Sequence, residues 1–158
     1  MAESNPAVFE DSHSFIKYQY AWTVNSDKRG ADILFFIEGL NISAEFHPVL
    51  SWVRPTQADD DLLKHEQGHF DLAEMVKREN MGHLQNNLYD KQFPTRGQNE
   101  EQRKQFAKED STKLVAQEIE KLEIILSKRR QEYDVLTNYG QNRKKQSEYD
   151  STFQKLRL

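Results

Sequence analysis

His65 and His69 stand four residues apart inside an amphipathic stretch, and this spacing constrains the fold more than any other feature of the chain. A helix turns about 100° per residue, so the two imidazoles lie about 40° apart, one turn from each other on one face. Side chains placed in this way can reach a single cation at about 2.0–2.1 Å. Glu66 lies about 100° round from His65, too offset to ligate from the same helix but close enough to meet a water on the ion. The run reads H-E-x-x-H. Leu62, Leu72, Ala73 and Val76 share the azimuth of the histidines, which predicts that both rings point towards the core. Gly68 keeps the surface beside them uncrowded, at about 1 kcal/mol of helix propensity relative to Ala. The plain alternative is a pair of hydrogen-bonded core histidines.

The segments around the motif supply the context it needs. Phe15–Val24 is rich in aromatic and β-branched residues and runs into the turn-like Asn25-Ser26-Asp27. Ala31–Ile37 reads as a second strand, with a hairpin turn at Glu38-Gly39-Leu40-Asn41. Ile42–Val53 reads as a third strand, confined to an edge or bulge by Pro48. Three or four antiparallel strands are expected across residues 10–55. Asp59-Asp60-Asp61 offers a cap and an acidic first turn to a helix over about Leu62–Leu84. Pro94 and Gly97 mark a loop. Val115, Ile119, Leu122, Leu126 and Tyr133 then draw one apolar stripe along a long charged helix, which Asn138-Tyr139-Gly140 breaks before a last short helix carrying Phe153 and Leu156. Residues 59–158 are expected to be helical, and 1–158 to be one α+β domain.

Composition removes several function classes. The 158 residues carry 22 basic and 26 acidic groups, with no basic stripe interleaved with aromatics, so nucleic acid is not an expected partner. Mean hydropathy is -0.92, and the chain as given shows no apolar run long enough for a membrane span or a secretory leader. There is no cysteine, so a metal has to rest on His, carboxylate or Tyr. His83 shares the azimuth of His65 but stands about 27 Å along a continuous helix, which makes it a surface or packing residue. His13 and His47 carry no spacing signal. Asp71 and Glu74 face away from the metal side.

The run SWVRPTQADDDLLKHEQGHFDLAEMVKREN, Ser51–Asn80, resembles the signature of an uncharacterised bacterial family of predicted secreted zinc-dependent proteases with a zincin-like domain. That family carries a later Tyr-Asp-x-x-Thr-x-His-Gly motif, matched here at Tyr133, Asp134, Thr137 and Gly140. The resemblance covers most of the chain. It implies a small antiparallel or mixed sheet packed on the motif helix and on a long C-terminal helix. It further implies Zn²⁺ as cofactor, a peptide or protein substrate, and a periplasmic or secreted location. In zincin-like proteins the strand before the motif helix pairs with extended substrate, which singles out Ile42–Val53.

The chain departs from the family at Tyr139, which stands where the second motif has its histidine. If that histidine is the family's third ligand, Tyr139 has three roles open to it: phenolate ligand, hydrogen-bond donor to an oxyanion, or a substitution that weakens the site. Asp134 either completes the metal shell or bonds a ligand imidazole from behind. The expected chemistry is peptide hydrolysis by a metal-activated water. His65, His69 and Tyr139 are the expected ligands and Glu66 the general base, with Tyr139 also a catalytic candidate. The rival reading is a catalytically weakened scaffold that binds peptides or proteins.

Overall fold

In the computed structural model, residues 12–30, 32–89, 91–94 and 96–158 are described. Ala31, which the sequence assigns to a strand, lies outside them, as do residues 10 and 11 of the expected β-rich region.

β1 (Ser12–His13) leads into a long antiparallel hairpin of β2 (Ile16–Arg29) and β3 (Asp32–Phe46). The hairpin turns at Gly30, whose φ of +66° places it in the left-handed region that glycine tolerates best. Neither turn expected nearby forms. Asn25, Ser26 and Asp27 pair with Phe36, Phe35 and Leu34 as strand. Gly39, at φ +63°, lies inside β3, where the register shifts between Ala21 and Thr23. Two residues of β3 there face one of β2, so the glycine serves a bulge rather than a turn.

The expected Ile42–Val53 strand is divided. Ile42–Phe46 pairs with β2, and Pro48 starts a single 3-10 turn over Pro48–Leu50. β4 (Trp52–Val53) then pairs with β1 to form a separate two-stranded ribbon. Proline breaks the ladder here because it fixes φ and has no N–H to donate. β5 (Gln92–Pro94), read as loop in the sequence, adds to β3 across Leu34–Phe36 and gives the sheet order β2-β3-β5. A proline is tolerated at such an edge.

α1 (Asp60–Tyr89) is longer than its apolar period suggests, with Asp59 Oδ1 accepting from the Leu62 N–H at 2.8 Å as its cap. Gly82 does not break it, and Leu84 and Leu88 beyond it are buried. α2 (Glu100–Leu136) and α3 (Arg143–Leu156) start on Asn99 and Asn142, whose side chains accept from Gln102 N and Lys145 N. The sheet face with Tyr18, Ile37, Leu40 and Ile42 packs on Leu72, Ala73 and Val76 of α1 and on the predicted stripe of α2, with Phe153 of α3 closing the end. Tyr18 donates to the Ala73 carbonyl at 2.7 Å, tying sheet to motif helix. The chain is therefore α+β: a small antiparallel region on three helices. Among the described residues no helix is long and apolar enough to cross a membrane.

Candidate metal centre

α1 carries His65 and His69 inward, as their shared azimuth requires, and both are almost fully buried. The rings sit edge to face with centroids 5.0 Å apart. α2 delivers Tyr133 against both, stacked on His65 at 4.6 Å with the planes 7° from parallel and edge-on to His69 at 5.1 Å. Gly68 makes this approach possible. A Cβ there would fall on the Tyr133 hydroxyl, and 2.8 Å from its Cζ. The glycine that costs helix propensity is the floor on which the tyrosine lies.

The end of α2 turns sharply to reach the same place. Thr137 caps the helix, and Asn138, Tyr139 and Gly140 follow with φ of +47°, +53° and +87°. Two consecutive non-glycine residues in the left-handed region cost on the order of 1–2 kcal/mol each, and the turn is held by the Asn142 N–H donating to Thr137 O at 2.8 Å. The bend lets Gly140 pass over His65, where a Cβ would come 2.9 Å from the His65 Cβ.

One carboxylate oxygen of Asp134 lies 3.0 Å from Nε2 of His65 and 2.9 Å from Nε2 of His69. These three residues form a group whose ligand atoms all fall within 4.8 Å of one another. Asp134 thus meets the inner nitrogens of both rings, not the outer nitrogen of one. Tyr139 is brought to the rim, 40% exposed, lining the small cavity over the histidines together with Arg130. His83 is exposed on α1, and Asp71 turns away to accept from Arg157. His13 stacks on Trp52 at 6.4 Å, and His47 packs edge-on to Phe15 at 5.7 Å.

A ring of hydrogen bonds fixes the tautomer of His65. Gln146 on α3 donates through Nε2 to the Tyr133 hydroxyl at 2.8 Å and to Asp150 at 2.9 Å. A carboxylate only accepts, so the amide orientation is determined and its oxygen faces His65 Nδ1 at 2.9 Å. Nδ1 must then carry the proton. The Tyr133 hydroxyl closes the ring by donating to the His65 carbonyl at 2.9 Å. With its proton on Nδ1, a ring that carries only that proton turns the Nε2 lone pair towards a carboxylate oxygen, a contact that is repulsive unless a cation or a second proton lies between them. Two imidazole nitrogens and a carboxylate suit zinc, whose ligands at about 2.0–2.1 Å in a tetrahedron stand about 3.3 Å apart. His65, His69 and Asp134 are donors that could hold a metal ion. His69 has no corresponding support, and its Nδ1 is buried with no hydrogen-bond partner among the described residues.

Electrostatics follow from this crowding. Burial works to raise the Asp134 pKa, but when Nε2 of His65 and of His69 carry protons, their hydrogen bonds and charge outweigh it and hold the carboxyl below the usual range. Burial lowers the His69 pKa, with Asp134 opposing and the Arg130 charge adding to the shift. Burial pushes the Tyr133 hydroxyl up, so it remains a neutral phenol.

Glu66 accepts hydrogen bonds from the hydroxyls of Ser12 and Ser14, one at each carboxylate oxygen. Neither serine belongs to a recognisable motif, although their i, i+2 spacing on an extended segment puts both hydroxyls on one face. Nothing in the spacing along α2 marks Arg130 as a residue of the cavity over the histidines. Gln146 had no signal at all. Comparison with protein-family models, curated proteins and solved structures finds no match to this chain.

Proposed function

We propose that this chain is a zincin-like, zinc-dependent peptidase, with His65, His69 and Asp134 as the metal ligands and Glu66 as general base. The observation that supports it most is the single Asp134 oxygen set against both Nε2 atoms, at 3.0 and 2.9 Å. Zinc, when bound, supplies Lewis acidity, polarising a carbonyl and acidifying a water towards a pKa of about 7.

The chain's own residues do the rest. Glu66 retains unshared lone pairs beyond the two that the serines occupy, and the serines hold its carboxylate in one orientation. It takes the proton from the attacking water and returns it to the departing amine. Arg130 and Tyr139 line the cavity over the histidines and offer N–H and O–H donors to the carbonyl oxygen as it gains charge. Tyr139 accordingly acts as a donor in this reading, with Asp134 in the ligand position. The exported location implied by the family resemblance belongs to the same proposal.

A second reading is favoured by one observation. Both oxygens of Glu66 are already engaged by serine hydroxyls, which suits a metal-holding scaffold that binds peptides without cutting them. Two measurements separate the readings. Protein purified without chelator is expected to hold about one zinc per chain by elemental analysis. It is expected to cleave unfolded casein, with the Glu66→Gln protein losing that cleavage while keeping its zinc. Zinc with no cleavage in either protein selects the scaffold, and absence of zinc from the folded protein defeats both.

A further inference from the structure

A groove of about 420 Å³ opens beside Glu66, between the β1/β4 ribbon and the first turns of α1. Its walls are Phe46, Trp52, Val53, Leu62 and Leu63. Phe46 is 48% and Leu63 67% exposed, so among the described residues these apolar groups face the concavity. The groove and the small cavity over the histidines share Ser12, Leu62 and Glu66. The carboxylate that faces the reacting carbonyl is therefore also the inner end of the groove. Adjacent residues of an extended peptide lie about 3.3–3.6 Å apart, so a side chain next to that carbonyl falls within reach of the groove.

Its charge is one-sided. Asp59 and Asp60 stand at the α1 end and Glu66 at the inner end, while among the described residues neither lysine nor arginine lines it. An acidic side chain entering would meet like charge at both ends and lose water to an apolar wall. We propose that this groove is a specificity pocket for a large apolar side chain, such as Phe or Leu, on the peptide residue adjoining the bond to be cut. The inference rests on the peptidase reading above.

The test uses otherwise identical, neutral peptides in which one position is Phe, Leu, Ala or Glu. Cut sites and rates are read by mass spectrometry. Binding is read from Trp52 fluorescence in a Trp22→Phe, Glu66→Gln protein, Trp22 being the other of the two tryptophans. Cleavage next to Phe or Leu is expected to exceed that next to Ala by at least about tenfold, with Glu lowest. Leu63→Asp, at an exposed position that leaves folding intact, is expected to reduce the preference to about threefold or less. Cleavage without side-chain preference, or a preference that Leu63→Asp leaves unchanged, overturns the pocket while the peptidase reading survives. Saturable binding of the Phe peptide but not the Glu peptide, with no cleavage by the unmodified protein, does the reverse. Neither binding nor cleavage removes both.

Discussion

His65 and Asp134 are 69 positions apart in the chain, yet Nε2 of the one stands 3.0 Å from Oδ1 of the other. The contact joins the start of α1 to the end of α2. It assigns different work to the two oxygen-bearing side chains of the distal segment, the buried-side Asp134 and the rim-side Tyr139.

Exchanging each of these in turn gives the most direct prediction. Asp134→Ala is expected to weaken zinc affinity by more than the roughly 10–100-fold that follows loss of an outer-sphere partner. Tyr139→Phe is expected to leave affinity within about threefold while slowing peptide hydrolysis by roughly 100-fold, the effect of losing one donor to a charged oxygen. Competition against a chromophoric chelator reads the affinities. Equal losses in the two proteins would return Tyr139 to the ligand set.

Gln146 holds the His65 proton on Nδ1 and is itself anchored by Asp150. Gln146→Leu removes the acceptor while keeping a similar volume. Zinc affinity is expected to fall by about 10–100-fold, with the helix content unchanged by circular dichroism. An unaltered affinity would mean that stacking on Tyr133 and the Thr137 hydroxyl, 3.4 Å from Nδ1, suffice to orient the ring.

Gly68→Ala pits two effects against each other. The helix gains about 1 kcal/mol of propensity, and the new methyl group drives into the Tyr133 ring. Overpacking costs about 1–3 kcal/mol, and Tyr133 is fully buried with Phe153 behind it, so it has nowhere to retreat. Net destabilisation is expected in urea titration, together with weaker zinc binding. A more stable protein would show that Tyr133 moves freely.

The zinc-free protein is expected to lose stability on acidification in two stages. Burial sets the folded pKa of His69 below its ordinary 6.5, so the unfolded chain binds that proton more readily. Stability from this residue is intact above about pH 6.5 and is lost as pH falls from there through the lower folded value. Asp134, held below its ordinary 3.8, adds a second loss below that pH. Urea midpoints of chelator-treated protein between about pH 7.5 and 5.5 should decline, and His69→Gln should flatten that decline. A flat profile for the parent protein would contradict the buried, neutral histidine.

Much of the helical half was legible from periodicity. The shared azimuth of Leu62, Leu72, Ala73 and Val76 placed both histidines inward, and the stripe from Val115 to Tyr133 is the buried face of α2. Local rules are sufficient for such features, because helix period and capping depend on residues within a few positions of each other. The β half was read less well for the same reason. A glycine at positive φ looks alike in a turn and in a bulge, and only the partner strand tells Gly39 from Gly30.

From sequence alone came the pair of imidazoles, the carboxylate beside them, and the break at Asn138-Tyr139-Gly140. Tertiary packing alone decided which oxygen meets those imidazoles, that Gln146 sets the tautomer, and that Ser12 and Ser14 hold Glu66. Each of these is a contact between elements far apart in the chain. Its geometry depends on how α2 and α3 dock against α1 and on how the hairpin presents β1. No spacing within a single helix or strand encodes that docking, because it is set by the whole apolar interior closing at once.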